Sequence, residues 1–211
     1  MVQEQIAESA DESLKFFIDN IHEAGLEARD LVKNLASFSR GSNGELQTPL
    51  LSPVLEDIER MLKPVLTSSI NLRLETTAQI PQVMVDPEHV HQMITNLCIN
   101  ARDALGGSGE VVISLRQQKH LTGVCSSCHE KFEGDFVELA VTDNGPGIPE
   151  AVIESMFDPF VSNKEVGQGT GLGLSMVHGS MHGSNGHILV TSRANEGTII
   201  KLLFPVPKEL N

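Results

Sequence analysis

No stretch of this chain approaches the ~20 consecutive apolar residues that a membrane-spanning helix needs, and no secretory signal stands before its polar, acidic start. Membrane contact by this fragment is therefore not expected, although a longer parent could be anchored through another part. Basic residues are scarce: 15 Lys and Arg face 28 Asp and Glu, for a formal charge of −13. That balance argues against nucleic acid as a partner, because neutralising a phosphate backbone takes Lys and Arg. It says little against a small phosphate ligand, whose charge a divalent cation and one lysine can screen locally. Cysteine is sparse and odd in number, three in all, which fits a reducing cytoplasm rather than a disulfide framework. What remains is 211 residues, 40 % of them hydrophobic, enough for one packed domain with an appended element.

Proline is also missing from Val2 to Arg40. Over that span Ala7, Ala10, Leu14, Phe17, Ile21, Ala24, Ala28, Leu31, Leu35 and Phe38 recur at alternating spacings of three and four. This heptad seam predicts a long helix that packs in a coiled coil or four-helix bundle and associates two chains as a homodimer. The alternative is an amphipathic helix folded back on its own domain. At 1.5 Å per residue the helix would run nearly 60 Å, more than a small domain can cover. The linker Gly41-Ser-Asn-Gly44 ends this element, so the expected division is 1–44 and 45–211.

Past the linker, helix and strand patterns alternate. Leu51, Leu55, Ile58, Leu62 and Val65 suit one helix face, Ile70, Leu72 and Leu74 a strand, and Val83-Met-Val85 a short edge or inner strand. After Asp86-Pro87, a stripe of Val90, Ile94, Leu97, Ala101 and Leu105 marks a helix that leaves Asn96 and Asn100 together on a different face. Val111–Leu115 and Phe136–Thr142 read as adjacent strands, Leu172 to about Met181 as a helix, and 188–190 and 198–204 as the strands closing a sheet. The expected class is α+β: a two-layer α/β sandwich, with a mixed sheet covered on one face by helices.

Chemistry concentrates in three segments: Asn96-Leu-Cys-Ile-Asn100-Ala, Asp143-Asn-Gly-Pro-Gly147 and Gly167-Gln-Gly-Thr-Gly-Leu-Gly173. Glycines at every second position let backbone N–H groups surround a polyanion. Asn100 offers a neutral oxygen to Mg²⁺, which keeps most of its waters and takes few protein ligands. Asp143 can accept a hydrogen bond from an adenine amino group, so the implied ligand is Mg-ATP.

These residues resemble a known family. Asn96–Ala104 looks like the N box of sensor histidine kinases, Asp143–Gly147 like their G1 box, Phe157-Asp-Pro-Phe160 like the F box and Gly169–Leu174 like G2. The resemblance spans roughly residues 45–207 and four motifs in the family's order. It implies the Bergerat-type ATP-binding fold shared with gyrase, mismatch-repair ATPases and the heat-shock chaperone ATPase. It also implies ATP and Mg²⁺ as cofactors, a cytoplasmic setting, and relay of phosphate to a response-regulator receiver domain.

By that resemblance Asn100 ligates Mg²⁺, and Asp143 binds adenine with Gly145 and Gly147 making room and Ile148 packing nearby. Phe157 and Phe160 anchor a lid in which Lys164 meets phosphate, and Gly169, Thr170, Gly171, Leu172 and Gly173 lead into a helix N-terminus that favours anions. Thr198 supports the adenine water network. Many relatives carry Lys or His three residues after the metal-binding Asn, whereas this chain has Asp103 preceded by Arg102; Arg102 as substitute is turned by about 100° on the helix.

Asn96 decides the fate of the γ-phosphate. Hydrolysing relatives place a glutamate there, and an amide cannot serve as the general base, so transfer to a histidine is expected instead. The only histidine on the long helix is His22, but Ala28–Arg40 resembles the second helix of the dimerisation hairpin, of the nitrogen-regulation type. The acceptor is therefore expected upstream of this chain. The alternatives are an ATP-hydrolysing or serine-kinase member of the superfamily, or a nucleotide-gated interaction module.

Cys125-Ser-Ser-Cys128-His129 fits none of this. It literally matches a c-type haem attachment motif, which belongs to an exported setting. Zinc held by Cys125 and Cys128 with His120 or His129, redox sensing, and a purely structural loop stay open.

Overall fold

The computed structural model describes residues 47–77, 79–161 and 171–207, together with Leu14, Lys15, Phe17, Ile18, Ile21 and Gly25. The chain divides into two compact units, Met1–Gly41 and Ser42–Asn211. In the first, the six described residues are helical, and Leu14, Phe17 and Ile21 of the heptad seam are exposed. The rest of the seam and His22 lie outside the described residues.

The second unit opens with α1 (Leu51–Leu62), whose Leu51, Leu55, Ile58 and Leu62 are buried. The expected Val65 does not join them and is exposed, whereas Leu66 is buried. Lys63 is still helical and donates to Glu59 C=O at 3.0 Å, but Pro64 has no N–H to continue the ladder, so the helix ends there and Val65 turns outward. Strand β1 (Ile70–Thr76) follows. Val83-Met-Val85 forms no strand of the sheet: Val85 makes one antiparallel bridge with Gln47, their N–H and C=O groups exchanging bonds of 3.0 and 2.9 Å. Pro81 and Pro87 bracket the segment and supply no N–H to extend a ladder, though Val83 and Val85 are fully buried.

Helix α2 (Pro87–Leu105) has both termini written in its sequence. Asp86 caps it by accepting from Glu88 N–H at 2.8 Å, Pro87 takes the first turn, and Gly106 ends it at φ +61°. Then come β2 (Gly109–Val124), β3 (Lys131–Asp143), the single turn α3 (Glu150–Ile153), α4 (Gly173–Gly183), β4 (His187–Arg193) and β5 (Gly197–Pro205). The sheet order is β1-β2-β3-β5-β4, parallel only between β1 and β2.

Register sorts the two faces. Leu115, Leu139, Leu202 and Ile188 form one row across four strands, and Arg116, Glu138, Leu203 and His187 the next. Because side chains alternate along a strand, the rows face opposite ways. The apolar face carries the helical layer: α1 packs on β1 and α2, α2 on β2, β3 and α4, and α4 on β4 and β5. This is the expected two-layer sandwich. On the other face Glu138, only 1 % exposed, is held by Arg116 Nε at 2.7 Å, Gln118 at 3.1 Å and Lys201 at 3.6 Å.

The β2–β3 hairpin runs past the sheet. A bulge between Gln118 and Leu121, with His120 at φ +52°, bends it. Its tip reaches β4 two strands away, where Ser126 N–H donates to Ile188 C=O at 2.7 Å and Val190 N–H to Ser126 Oγ at 3.0 Å. The tip thereby caps backbone groups that an edge strand would otherwise leave open.

Arg116→Ala should cost roughly 1–3 kcal/mol, because it leaves the buried Glu138 carboxylate short of its closest partner. Adding Glu138→Leu should recover most of that loss in urea denaturation; additive losses would mean that the pair is not what Arg116 contributes.

Candidate nucleotide-binding site

Two glycine-bearing turns meet one face of α2. Asn96, Asn100 and Ala104, each four residues apart, share that face over ~12 Å. At one end, a Cβ placed on Gly173 would lie 3.7 Å from the Asn96 side chain, and Asn96 Nδ2 donates to Gly173 C=O at 3.5 Å. At the other end, a Cβ on Gly145 would lie 3.7 Å from Leu105 and 3.8 Å from Ala104. Asn100 sits between these two turns, half-buried.

Asp143, Thr198 and Ser192 occupy matched positions on the neighbouring strands β3, β5 and β4. Asp143 is half-buried, and its Oδ1 accepts from Gly145 N–H at 2.9 Å. Burial raises its pKa above the ordinary value, against the lowering effect of N–H bonds from Gly145 and Thr198. Thr198, buried, lies 2.9 Å by Oγ1 from Ser192 Oγ, which accepts from Ile148 N–H at 2.7 Å and donates to Gly197 C=O at 3.1 Å. Ser192 was not foreseen from the sequence. Nothing in its local context distinguishes it from any strand serine; only its register beside Thr198 brings it to the site.

At Gly147 and Gly197 the protein's own backbone already requires glycine. A Cβ on Gly147 would collide with the Arg193 carbonyl, and one on Gly197 with that of Asp143; both residues also have positive φ, +78° and +93°. Their need for glycine is thus met by the protein's own backbone. Gly173 differs, since a Cβ there meets only Asn96 at ordinary contact distance. Helix α4 starts at this residue without a side-chain cap or an acidic residue in its first turn, an arrangement suited to an anion.

The segment Phe157–Phe160 packs beside α4 and the residues leading into it. Phe157 is buried and its ring lies 6.4 Å from that of His178 on α4, whereas Phe160 is 69 % exposed at φ +67° and is no buried anchor. Its backbone does the anchoring: Phe160 N–H donates to Gly171 C=O at 3.0 Å, and a Cβ on Gly171 would press on the Phe160 backbone. Both ends of the intervening segment are thereby held together. Lys164, Gly169 and Thr170 lie outside the described residues. Leu172 is buried at the start of α4. Arg102 spends Nε and Nη2 on Asp103 Oδ1, at 2.9 and 2.7 Å, so its guanidinium is already paired.

Cys125 and Cys128 stand apart from this site, on the hairpin tip. Neither His120, which is exposed, nor His129 joins them; the histidine that does is His187 of β4.

Residues 85–208 match the family of histidine kinase-, DNA gyrase B- and HSP90-like ATPases. The chain belongs to that family, and its ATPase domain is of the histidine-kinase type. It is 34 % identical over 188 residues to the sensor kinase CckA of Brucella abortus (strain 2308), covering 89 % of this chain and 20 % of CckA. It is 30 % identical over 174 residues to the sensory histidine kinase/phosphatase NtrB of Escherichia coli O157:H7, covering 79 % of this chain and 47 % of NtrB. The chain thus spans less than half the length of either relative. Among solved structures, the catalytic domain of histidine kinase ThkA superposes with a TM-score of 0.63 at 26 % identity, over 77 % of this chain and 96 % of that one. Full-length ShkA in complex with AMPPNP gives 0.71 at 19 % identity, over 90 % and 38 %, and shares the fold.

The raised Asp143 pKa carries a signed consequence. The fold favours the protonated carboxyl, so its stabilising contribution is complete below the ordinary value of 3.8 and is lost as pH rises through the folded value. Asp143→Asn keeps the acceptor oxygen without the charge. The melting temperature of the ligand-free variant should gain on the parent protein as pH rises from about 4 to about 8; a difference independent of pH would show that the carboxylate pays no desolvation cost.

Proposed function

We propose that this chain is the kinase core of a two-component sensor. It binds ATP with Mg²⁺ and passes the γ-phosphate to a histidine upstream of this sequence, for relay to a response-regulator aspartate. The observation that supports this most directly is the α2 face on which Asn100 stands between two glycine turns. Asp143 and the Ser192–Thr198 hydroxyl pair lie beyond one turn, and the open N-terminus of α4 beyond the other.

Each residue then has a chemical task. Asp143 accepts a hydrogen bond from the adenine amino group, and such a donor would lower the carboxyl's raised pKa. Ser192 holds the Ile148 backbone beside it. Backbone N–H groups from Gly171 to Gly173 take phosphate oxygens, with Gly169, Thr170 and the Lys164 ammonium contributing from the lid. Asn100 holds Mg²⁺, which when bound neutralises charge on the transferring phosphoryl group. The neutral donor suits Mg²⁺, which takes an amide oxygen alongside phosphate and water ligands. Asn96 cannot take a proton from water, and its amide instead ties α2 to the start of α4. Positioning of a histidine nucleophile, rather than of water, is what this set of groups can provide.

The heptad helix of residues 1–44 would form the second helix of a dimerisation hairpin and join two chains. Domain 45–211 carries the nucleotide. No helix among the described residues is long and apolar enough to cross a membrane.

Saturating Mg-ATP should stabilise the chain by about 2.7 kcal/mol at a hundredfold excess over Kd. Asp143→Ala should remove the shift for ATP and ADP alike, and Asn100→Ala chiefly its Mg²⁺ dependence. With labelled ATP the chain alone should release little phosphate and label itself weakly, whereas an added hairpin carrying the family's histidine box should become labelled in acid-labile, alkali-stable form. Strong self-labelling lost in His22→Gln would place the acceptor on this chain, and rapid phosphate release would favour the hydrolase.

A further inference from the structure

The turn Cys125–Glu130 at the hairpin tip is built around its sulfurs. Cys125 N–H donates to Glu130 C=O at 2.9 Å and His129 N–H to Cys125 C=O at 3.0 Å, with His129 at φ +61°. Cys125 is buried, and its Sγ accepts from the Ile188 N–H at 3.3 Å and lies 3.3 Å from Ser127 Oγ. Cys128, three residues further on, is half-buried, and both thiols are free rather than bonded to each other.

The partner across the gap is His187, the first residue of β4. Its ring is set by aromatic packing, stacked on Phe132 at 4.7 Å and 20° and edge-on to Phe136 at 6.0 Å and 74°. Its Nδ1 is buried and has no hydrogen-bond partner. A buried nitrogen left this way costs free energy unless something binds it. Cys125, Cys128 and His187 each offer a ligand atom, all within 4.8 Å of one another. Zinc bonds of 2.0–2.3 Å in a tetrahedron place ligand atoms ~3.3–3.8 Å apart, so the group needs to contract by only about an ångström.

We propose that Cys125, Cys128 and His187 bind one zinc ion, with solvent completing the tetrahedron. Two thiolates and an imidazole are a zinc-type donor set, and each thiol loses its proton to solvent as the metal binds. The ion would join the hairpin tip to β4 by bonds far stronger than the backbone contacts at Ser126. The site lies on the sheet face opposite the helical layer and is independent of nucleotide binding. His129, adjacent in sequence, is not a ligand.

The purified chain should carry about one zinc per molecule by elemental analysis. Replacement by Co²⁺ should produce thiolate-to-metal charge transfer in the near ultraviolet together with the intense visible bands of a tetrahedral ion. Cys125→Ser, Cys128→Ser and His187→Gln should each lower zinc affinity at least about tenfold, while His129→Gln should keep it. Because a variant could fail to fold, the Co²⁺ spectrum of the parent chain stands as a separate test. Failure of the fully reduced parent to give the charge-transfer band overturns the proposal. So does a Cys125–Cys128 disulfide as the resting state of freshly prepared protein, or loss of metal in His129→Gln with retention in His187→Gln.

Discussion

The close approach of two glycine turns to one face of α2 is the constraint on which the site depends. Gly145 lies over Ala104 and Leu105, and Gly173 over Asn96; any larger side chain at Gly145 would also meet the Asp143 carboxylate. Helix α2 therefore acts as a ruler, and the turns are set at two points along it. Asn100 falls between those points because eight residues of α-helix separate Asn96 from Ala104. The helix is itself held by apolar burial on its opposite stripe, where Val90, Ile94 and Leu97 are almost wholly inaccessible, and by a capped start and a glycine stop.

The sheet fixes the second half of the geometry. Asp143, Thr198 and Ser192 come from strands far apart in sequence and meet because the β3-β5-β4 order aligns their ends. Positive φ at Gly147 and Gly197 lets the β3 exit turn and the β4–β5 hairpin pass almost in contact. Glycines that look like ligand-approach residues are here required by the chain's own carbonyls, which act whether or not a nucleotide is bound. The start of α4 differs, since a Cβ on Gly173 would meet only Asn96 at ordinary contact distance.

The polar face and the hairpin tip form a second centre of organisation. A buried glutamate with three partners, a phenylalanine stacked on a histidine and a thiol-bearing turn cover the sheet face opposite the helical layer. Covering the β4 edge removes backbone groups that could pair with another chain.

How much of this could be read without coordinates depended on whether the signal was local. Asp86-Pro87 and Gly106 mark both ends of α2, and the apolar stripe gives its buried face, because helix capping and 3.6-residue periodicity involve neighbours in sequence. Asn100, Asp143 and the glycine turns stood out for the same reason, as dense motifs in a fixed order. Other features depended on partners that sequence spacing does not reveal. Val83–Val85 has the composition of a strand but finds only Gln47 to pair with, and Phe160 anchors through its N–H while its ring stays exposed. Ser192 reaches the site through register alone. His187 shows the same limit most clearly: His120 and His129 are nearer to the cysteines in sequence. The bend at the bulge carries the tip across two strands, and packing against Phe132 turns a histidine almost sixty residues away toward it. Local chemistry determined the elements and the nucleotide motifs; the sheet's long-range pairing decided which side chains became neighbours.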